Sequence, residues 1–277
     1  MRARNRAFHW LLLLSIGVAL TTLAALLFDV VRKGAAYVDP VLLTNPPSID
    51  PNIAGARPAI LATLYLGVLL LAFAVPVGVG TAIYLEEYAD RTRWHNRLLE
   101  LNIQNLAAVP SIVYGILGLA FLVRGIGLGR VLLAGAFILT LLVLPTVIIA
   151  AREAIRAVPD SIRQGAYALG ATKWQVVWRQ VLPGATPGIA TGSILALSRA
   201  LGETAPLLLV GALTYVSFNP TLLGDFTALP VQIYQYIARP QEEFRVVAAA
   251  GIIVLLVILL TLNSLAIWVR NRYQRKW

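Results

Sequence analysis

Residues 8–28 read FHWLLLLSIGVALTTLAALLF, a run without a single charge. An α-helix rises 1.5 Å per residue, so about 20 apolar residues cross the ~30 Å hydrocarbon layer of a bilayer. The run is therefore long enough to span a membrane, and it exceeds the roughly 7–15 apolar residues of a cleavable signal. Five further apolar runs follow, at about Ala59–Leu85, Ile103–Val123, Val131–Ala151, Gly188–Leu213 and Val246–Trp268. Hydrocarbon offers no partner to an open backbone amide, so each run is expected to be helical. The composition agrees. Of 277 residues, 58% are hydrophobic and 13% charged, against about 25% charged in an ordinary soluble domain. The expected fold class is an all-α integral membrane protein with six transmembrane helices.

The formal net charge is +10, yet the basic residues form no tract of the kind that binds nucleic acid; they sit singly at the ends of the apolar runs. With the N-terminus inside, fifteen Lys and Arg fall on inner segments and seven on outer ones, leaving Arg199 within a span. Inner segments of membrane proteins carry the excess of Lys and Arg, so both termini are expected in the cytoplasm. The chain has no cysteine and only His9 and His95, which excludes thiolate chemistry and leaves too few ligands for a histidine zinc site. There is no G-x-x-x-x-G-K-[ST] and the only lysines are Lys33, Lys173 and Lys276, so no phosphate-cradling nucleotide loop is encoded. No nucleophile–base pair suggests an intramembrane enzyme, and no cofactor or metal is expected in this chain.

The outer segments differ in kind. Asp39–Pro58 carries Pro40, Pro46, Pro47, Pro51 and Pro58, which oppose regular helix. Arg124–Arg130 is a Gly-rich reversal, and Leu229–Pro230–Val231–Gln232–Ile233–Tyr234 is expected to start a short amphipathic helix at the outer surface. Pro76, Pro110, Pro145 and Pro206 fall in or near spans and can kink them. The inner segment Arg152–Pro187 is about 36 residues long, where helical assemblies usually use two to eight. It reads as a short helix capped by Asp160 or Ser161, a stop at Gly170, and a second helix ending at Leu182–Pro183. On pattern alone it equally suits an amphipathic helix on the headgroups anchored by Trp174 and Trp178.

Arg199 and Glu203 lie within the fifth run, and a charge at mid-bilayer costs ~2.5–3.5 kcal/mol on insertion scales. Four residues apart on a helix, they share a face, but Arg before Glu is the weaker order for such a pair. One reading is an anion station, because the planar guanidinium fork suits phosphate oxygens. The other is an ion pair locking two helices. Gly188, Gly192, Ala196 and Ala200 recur every four residues beside them and read as a close-packing stripe.

Gln164–Gly165–Ala166, then Gly170, then Gln180–Val181–Leu182–Pro183 resembles the EAA loop of permease subunits of bacterial ABC importers. Gln164, Gly165 and Gln180 stand where that motif has Glu, Ala and Ile. Ala82–Ala89, Val109–Gly115 and Arg199–Pro206 resemble the phosphate-specific permeases, and Glu203–Leu208 with Leu229–Tyr234 resemble their A-type subunits. The resemblance covers residues 59 to 270 and implies the type 1 ABC importer permease architecture, with residues 1–58 forming a first helix and outer loop. It implies that Gln164, Gly165, Ala166, Gly170, Leu182 and Pro183 dock an ATPase, and that Arg199 and Glu203 lie on the substrate path. It also implies two copies of a separate ATP-binding subunit, a C-type permease partner, an external phosphate-binding protein, and a place in the bacterial plasma membrane. The rivals are a C-type subunit, a permease for another oxyanion, and a stand-alone channel or proton-coupled carrier.

Overall fold

The structure, a computed structural model, describes residues 2–90, 92–212 and 216–273. Arg91, Leu213, Arg275 and Lys276, used in the readings above, lie outside them. In chain order the helices are α1 (Arg2–Gly34), α2 (Pro40–Thr44), α3 (Arg57–Ile83), α4 (Trp94–Ala107), α5 (Ser111–Gly118) and α6 (Leu132–Arg156). They continue with α7 (Asp160–Ala168), α8 (Lys173–Val176), α9 (Leu182–Gly202), α10 (Ala205–Val210), α11 (Leu229–Ile237) and α12 (Glu243–Tyr273). Three wide π-turns extend helices without a break in the chain's winding: Tyr84–Tyr88 after α3, Leu119–Gly125 after α5, and Val177–Val181 joining α8 to α9. Among the described residues the only extended pairing is a single antiparallel bridge between Val131 and Asp225.

Among the described residues, five helical segments are long and apolar enough to cross a membrane, and α4 with α5 makes a sixth if the pair is one span. That pair replaces the one run expected over Ile103–Val123, and its break falls at Pro110, one of the prolines read as able to kink a span. It bends by 104°, with Pro110 directly before α5, because proline has no N–H and disfavours helical backbone at the residue before it. The fifth run differs too. Its helix reaches back as far as Lys173 and ends at Gly202, with α10 following as a separate piece. The inner connector is correspondingly shorter than Arg152–Pro187, since α6 runs to Arg156 and the next span starts at Lys173. Pro76 and Pro145 lie inside α3 and α6, while Pro206 occupies the first turn of α10, where its missing N–H costs no hydrogen bond.

Helices α3, α6 and α9 form the centre, with Leu66, Leu70, Ile138, Leu139, Leu197 and Leu201 buried between them. In lipid, close packing holds helices together more than water exclusion does. The small-residue stripe of α9 does this: Gly192 abuts Ala150 of α6, and a Cβ on Gly188 would stand 2.6 Å from the Ala154 Cβ. A second cluster, including Leu42, Leu229, Tyr236 and Phe244, closes the end of the bundle formed by α2, α11 and the start of α12. There the Tyr236 hydroxyl donates to the Gly55 carbonyl at 2.7 Å, and Arg239 donates to the Ser48 carbonyl at 2.9 Å. Helix α11 is where the sequence places it, but Leu229 to Ile233 are buried rather than lying on the surface. The proline-rich loop holds one short helix, α2, capped by the Asp39 carboxylate, which accepts from the Leu42 amide at 2.8 Å.

Candidate functional site

Arg199 sits in the last turn of α9 and Glu203 is the capping residue just beyond it, in extended conformation with φ −77° and ψ 124°. Glu203 therefore stands at the end of the helix rather than within a continuous span, because α9 stops at Gly202. The two side chains remain close, with Nε to Oε1 at 3.8 Å, a loose contact beside the ~2.8 Å of a short charge-assisted bond. The break has a local cause: Gly202 precedes it, and Pro206 begins a new helix after it. A cation in the last helical turn is favoured by the partial negative charge of the terminal carbonyls, so α9 itself stabilises the guanidinium. The Arg199 side chain is 55% exposed and Glu203 22%. Leu195, one turn earlier, is exposed as well, so among the described residues this face of α9 is open. Next to it, the Ser198 hydroxyl bonds Asn263 of α12 at 2.6 Å, tying α9 to α12 at the level of the charge.

The inner helix–turn–helix forms as α7 and α8. Asp160 and Ser161 do not cap α7; Pro159 holds that position without a side-chain bond, and Asp160 falls in the first turn. Gly170 ends the helix with φ +79°. The Gly170 amide donates to the Tyr167 carbonyl at 2.9 Å and the Ala171 amide to that of Ala166 at 3.1 Å, the paired bonds of a Schellman stop. Thr172 then starts α8 with a reciprocal cap, its hydroxyl accepting from the Gln175 amide and its amide donating to the Gln175 side chain. The second helix does not end at Leu182–Pro183; it passes through the π-turn into α9, with Pro183 in the first turn of α9. Replacing Gly170 by proline would remove the Tyr167 bond and demand φ near −65°, at a cost of about 3 kcal/mol. Amide exchange at Ala171 is expected to quicken about a hundredfold; unchanged protection would contradict this account of the turn.

The six residues singled out in this segment divide in two. Gln164, Gly165 and Gly170 are exposed. Ala166 and Leu182 pack against the inner apolar cluster of Ile155, Val158, Val176 and Val181, and Pro183 is half-buried. Leu169 stands out from the turn at 91% exposure. Trp174 and Trp178 stack at 5.4 Å on the exposed side of the second helix.

An ion network at the inner end of α3 went unread in the sequence. Arg152 of α6 is buried, donating from Nε to Glu86 at 2.8 Å and from a terminal nitrogen to Glu100 of α4 at 2.5 Å. Arg156 adds a second bond to Glu86 at 2.9 Å. Arg163 of α7 donates twice to Glu87, at 3.1 and 3.0 Å, and to the carbonyls of Ile155 and Val158. In the turn that follows, the Thr92 hydroxyl and amide both donate to Asp90 and hold its carboxyl below the ordinary aspartate range. Two carboxylates in succession, in a chain with only 13 acidic residues, were the available signal. Among the described residues no group of three or more His, Asp or Glu gathers to hold a metal.

Residues 74–276 match the family model described as binding-protein-dependent transport system inner membrane component. The chain is 34% identical over 270 residues, 96% of its length and 89% of the other's, to the phosphate transport system permease protein PstA of Yersinia pestis. It is 35% identical over 218 residues, 78% of its length and 70% of the other's, to PstA 1 of Mycobacterium tuberculosis. A solved structure of the MetNI methionine ABC transporter in an inward-facing conformation superposes with TM-score 0.64 at 19% identity, covering 80% of this chain and 95% of that one. That likeness concerns the fold.

Proposed function

Since the chain belongs to the family of binding-protein-dependent transport system inner membrane components, we propose that it is the A-type permease subunit of an ATP-driven importer of inorganic phosphate. It forms half of a translocation path in the bacterial plasma membrane, with both termini in the cytoplasm. A C-type permease completes the path, an external binding protein delivers phosphate to the outer loops, and two copies of a separate subunit bind and hydrolyse ATP. Gln164, Gly165 and Gly170 meet that ATPase, while Ala166, Leu182 and Pro183 hold the docking segment in shape behind them.

The observation that carries the reading is Arg199, a guanidinium half-exposed on a helix face that the described residues leave open. Left against lipid it would cost about 2.5–3.5 kcal/mol or more, so that face belongs to a polar route or to a partner subunit. Its contact to Glu203 is long enough to leave donors for an oxyanion, and Glu203 is near enough to orient the guanidinium and to accept from a protonated phosphate oxygen. Support comes also from the phosphate permease of Yersinia pestis, matched along 96% of this chain. Reconstitution tests it. Proteoliposomes holding this chain alone are expected to be inert to phosphate, and those holding the four-component complex to accumulate it only with ATP. Uptake by the single chain would favour the channel or carrier instead.

A further inference from the structure

Glu86–Glu87–Tyr88 ends α3 in a widened turn, and each of the three meets a different helix. Glu86 is held by Arg152 and Arg156 of α6, Glu87 by Arg163 of α7, and the Tyr88 ring lies 4.9 Å from the Lys173 ammonium at the start of α8. The bonds to Glu86 join α3 and α6, which already share the buried central cluster along their length. The bond to Glu87 has a different task. No residue of α7 is fully buried; Ile162 and Ala166 pack at the edge of the apolar cluster of Ile155 and Val158, whereas the Arg163 and Glu87 side chains are only 15% and 7% exposed. Beside that shallow packing, the deepest-set polar attachment of α7 to the body is the Arg163 side chain, and its bond to Glu87 is the part that reaches α3.

We propose that Glu87 is a positioning residue that fastens the ATPase-facing helix α7 to the inner end of α3, so that a displacement imposed on α7 is handed to the membrane helices. The inference rests on the reading of the chain as an ATPase-coupled permease. Arg163 makes the fastening three-way: Glu87 on one side, the Ile155 and Val158 carbonyls at the end of α6 on another, and Asp160 of its own helix at 3.1 Å. Removing the Glu87 carboxylate leaves the carbonyl and Asp160 bonds, so α7 stays folded while its tie to α3 is lost. Without the direct tie, movement of α7 reaches α3 only by way of α6, and most of the ATP is hydrolysed without transport. Arg152 and Glu86, by contrast, hold the body together whether or not α7 moves.

The test uses the complete complex in proteoliposomes and reads phosphate moved per ATP hydrolysed. Glu87→Ala is expected to lower that ratio at least tenfold, with ATP hydrolysis retained and the complex copurifying at parental yield. Glu87→Gln has the same shape and still presents an accepting oxygen to Arg163, so it is expected to lose about threefold. A parental ratio in both variants, or transport and hydrolysis falling in proportion, would overturn the proposal. If Glu87→Ala fails to assemble, the ratio of Glu87→Gln decides. Amide exchange across α7 gives a second readout independent of transport, expected about tenfold faster in Glu87→Gln than in the parent; equal exchange overturns the fastening. A parental complex that hydrolyses ATP without moving phosphate would overturn the functional reading, and the exchange comparison would still judge the fastening.

Discussion

An Arg199→Gln complex is expected to take up phosphate about a hundredfold more slowly than its parent while assembling normally. A glutamine offers two amide hydrogens in place of a charged five-donor fork, and bonds from a charged donor are roughly twice as strong as neutral ones. Losing a preorganised donor at a site of concentrated charge typically costs about 10²–10³ in rate. Arg199→Lys keeps the charge but not the planar fork, so its uptake is expected to fall between the two. Assembly should survive because the guanidinium is half-exposed and meets Glu203 only at 3.8 Å. Uptake at the parental rate in Arg199→Gln would falsify the role of this residue in the path.

The second large effect concerns stability. Arg152→Met is expected to destabilise the chain by about 3–5 kcal/mol, the usual cost of removing one partner of a buried ion pair. The Glu86 side chain is only 3% exposed, and although Arg156 still reaches it, that arginine is half-exposed and a weaker counter-ion. Thermal unfolding of the purified protein in detergent should show a midpoint lower by roughly 10 °C. The double variant Arg152→Met with Glu86→Gln should regain most of the loss, because no buried charge is then left without its principal partner. A double variant no more stable than the single one would mean that packing around Arg152, rather than charge, is the cause.

The spans were legible because apolar runs of this length have few other fates, and charge placement divided the loops between two sides. What hydropathy missed was the path of the backbone within a run. Averaging over Ile103–Val123 smooths across Val109–Pro110, where the chain turns through 104°, and averaging over Gly188–Leu213 conceals the end of α9 at Gly202. Gly202 and Pro206 were visible, but the spacing of Arg199 and Glu203 favoured one unbroken helix. In the inner segment Gly170 was readable, since a glycine between two amphipathic stretches has few roles other than a left-handed stop. The Asp160 cap failed because Pro159 already fixes an extended approach to the helix. Of the ion network only the acidic pair Glu86–Glu87 was visible; its partners Arg152 and Arg163 lie 66 and 76 residues away, and no local pattern encodes such a pairing.

The join between α8 and α9 has a mechanical consequence. From Lys173 to Gly202 the chain is one apolar rod of 30 residues, about 45 Å long at 1.5 Å per residue. Tilting the rod by about 10° about its Lys173 end would carry the Gly202 end ~8 Å. The rod has two soft places, the wide turn at Val177–Val181 and Pro187 inside α9, and their stiffness sets how much of the swing arrives at the guanidinium and how much is absorbed as flexure.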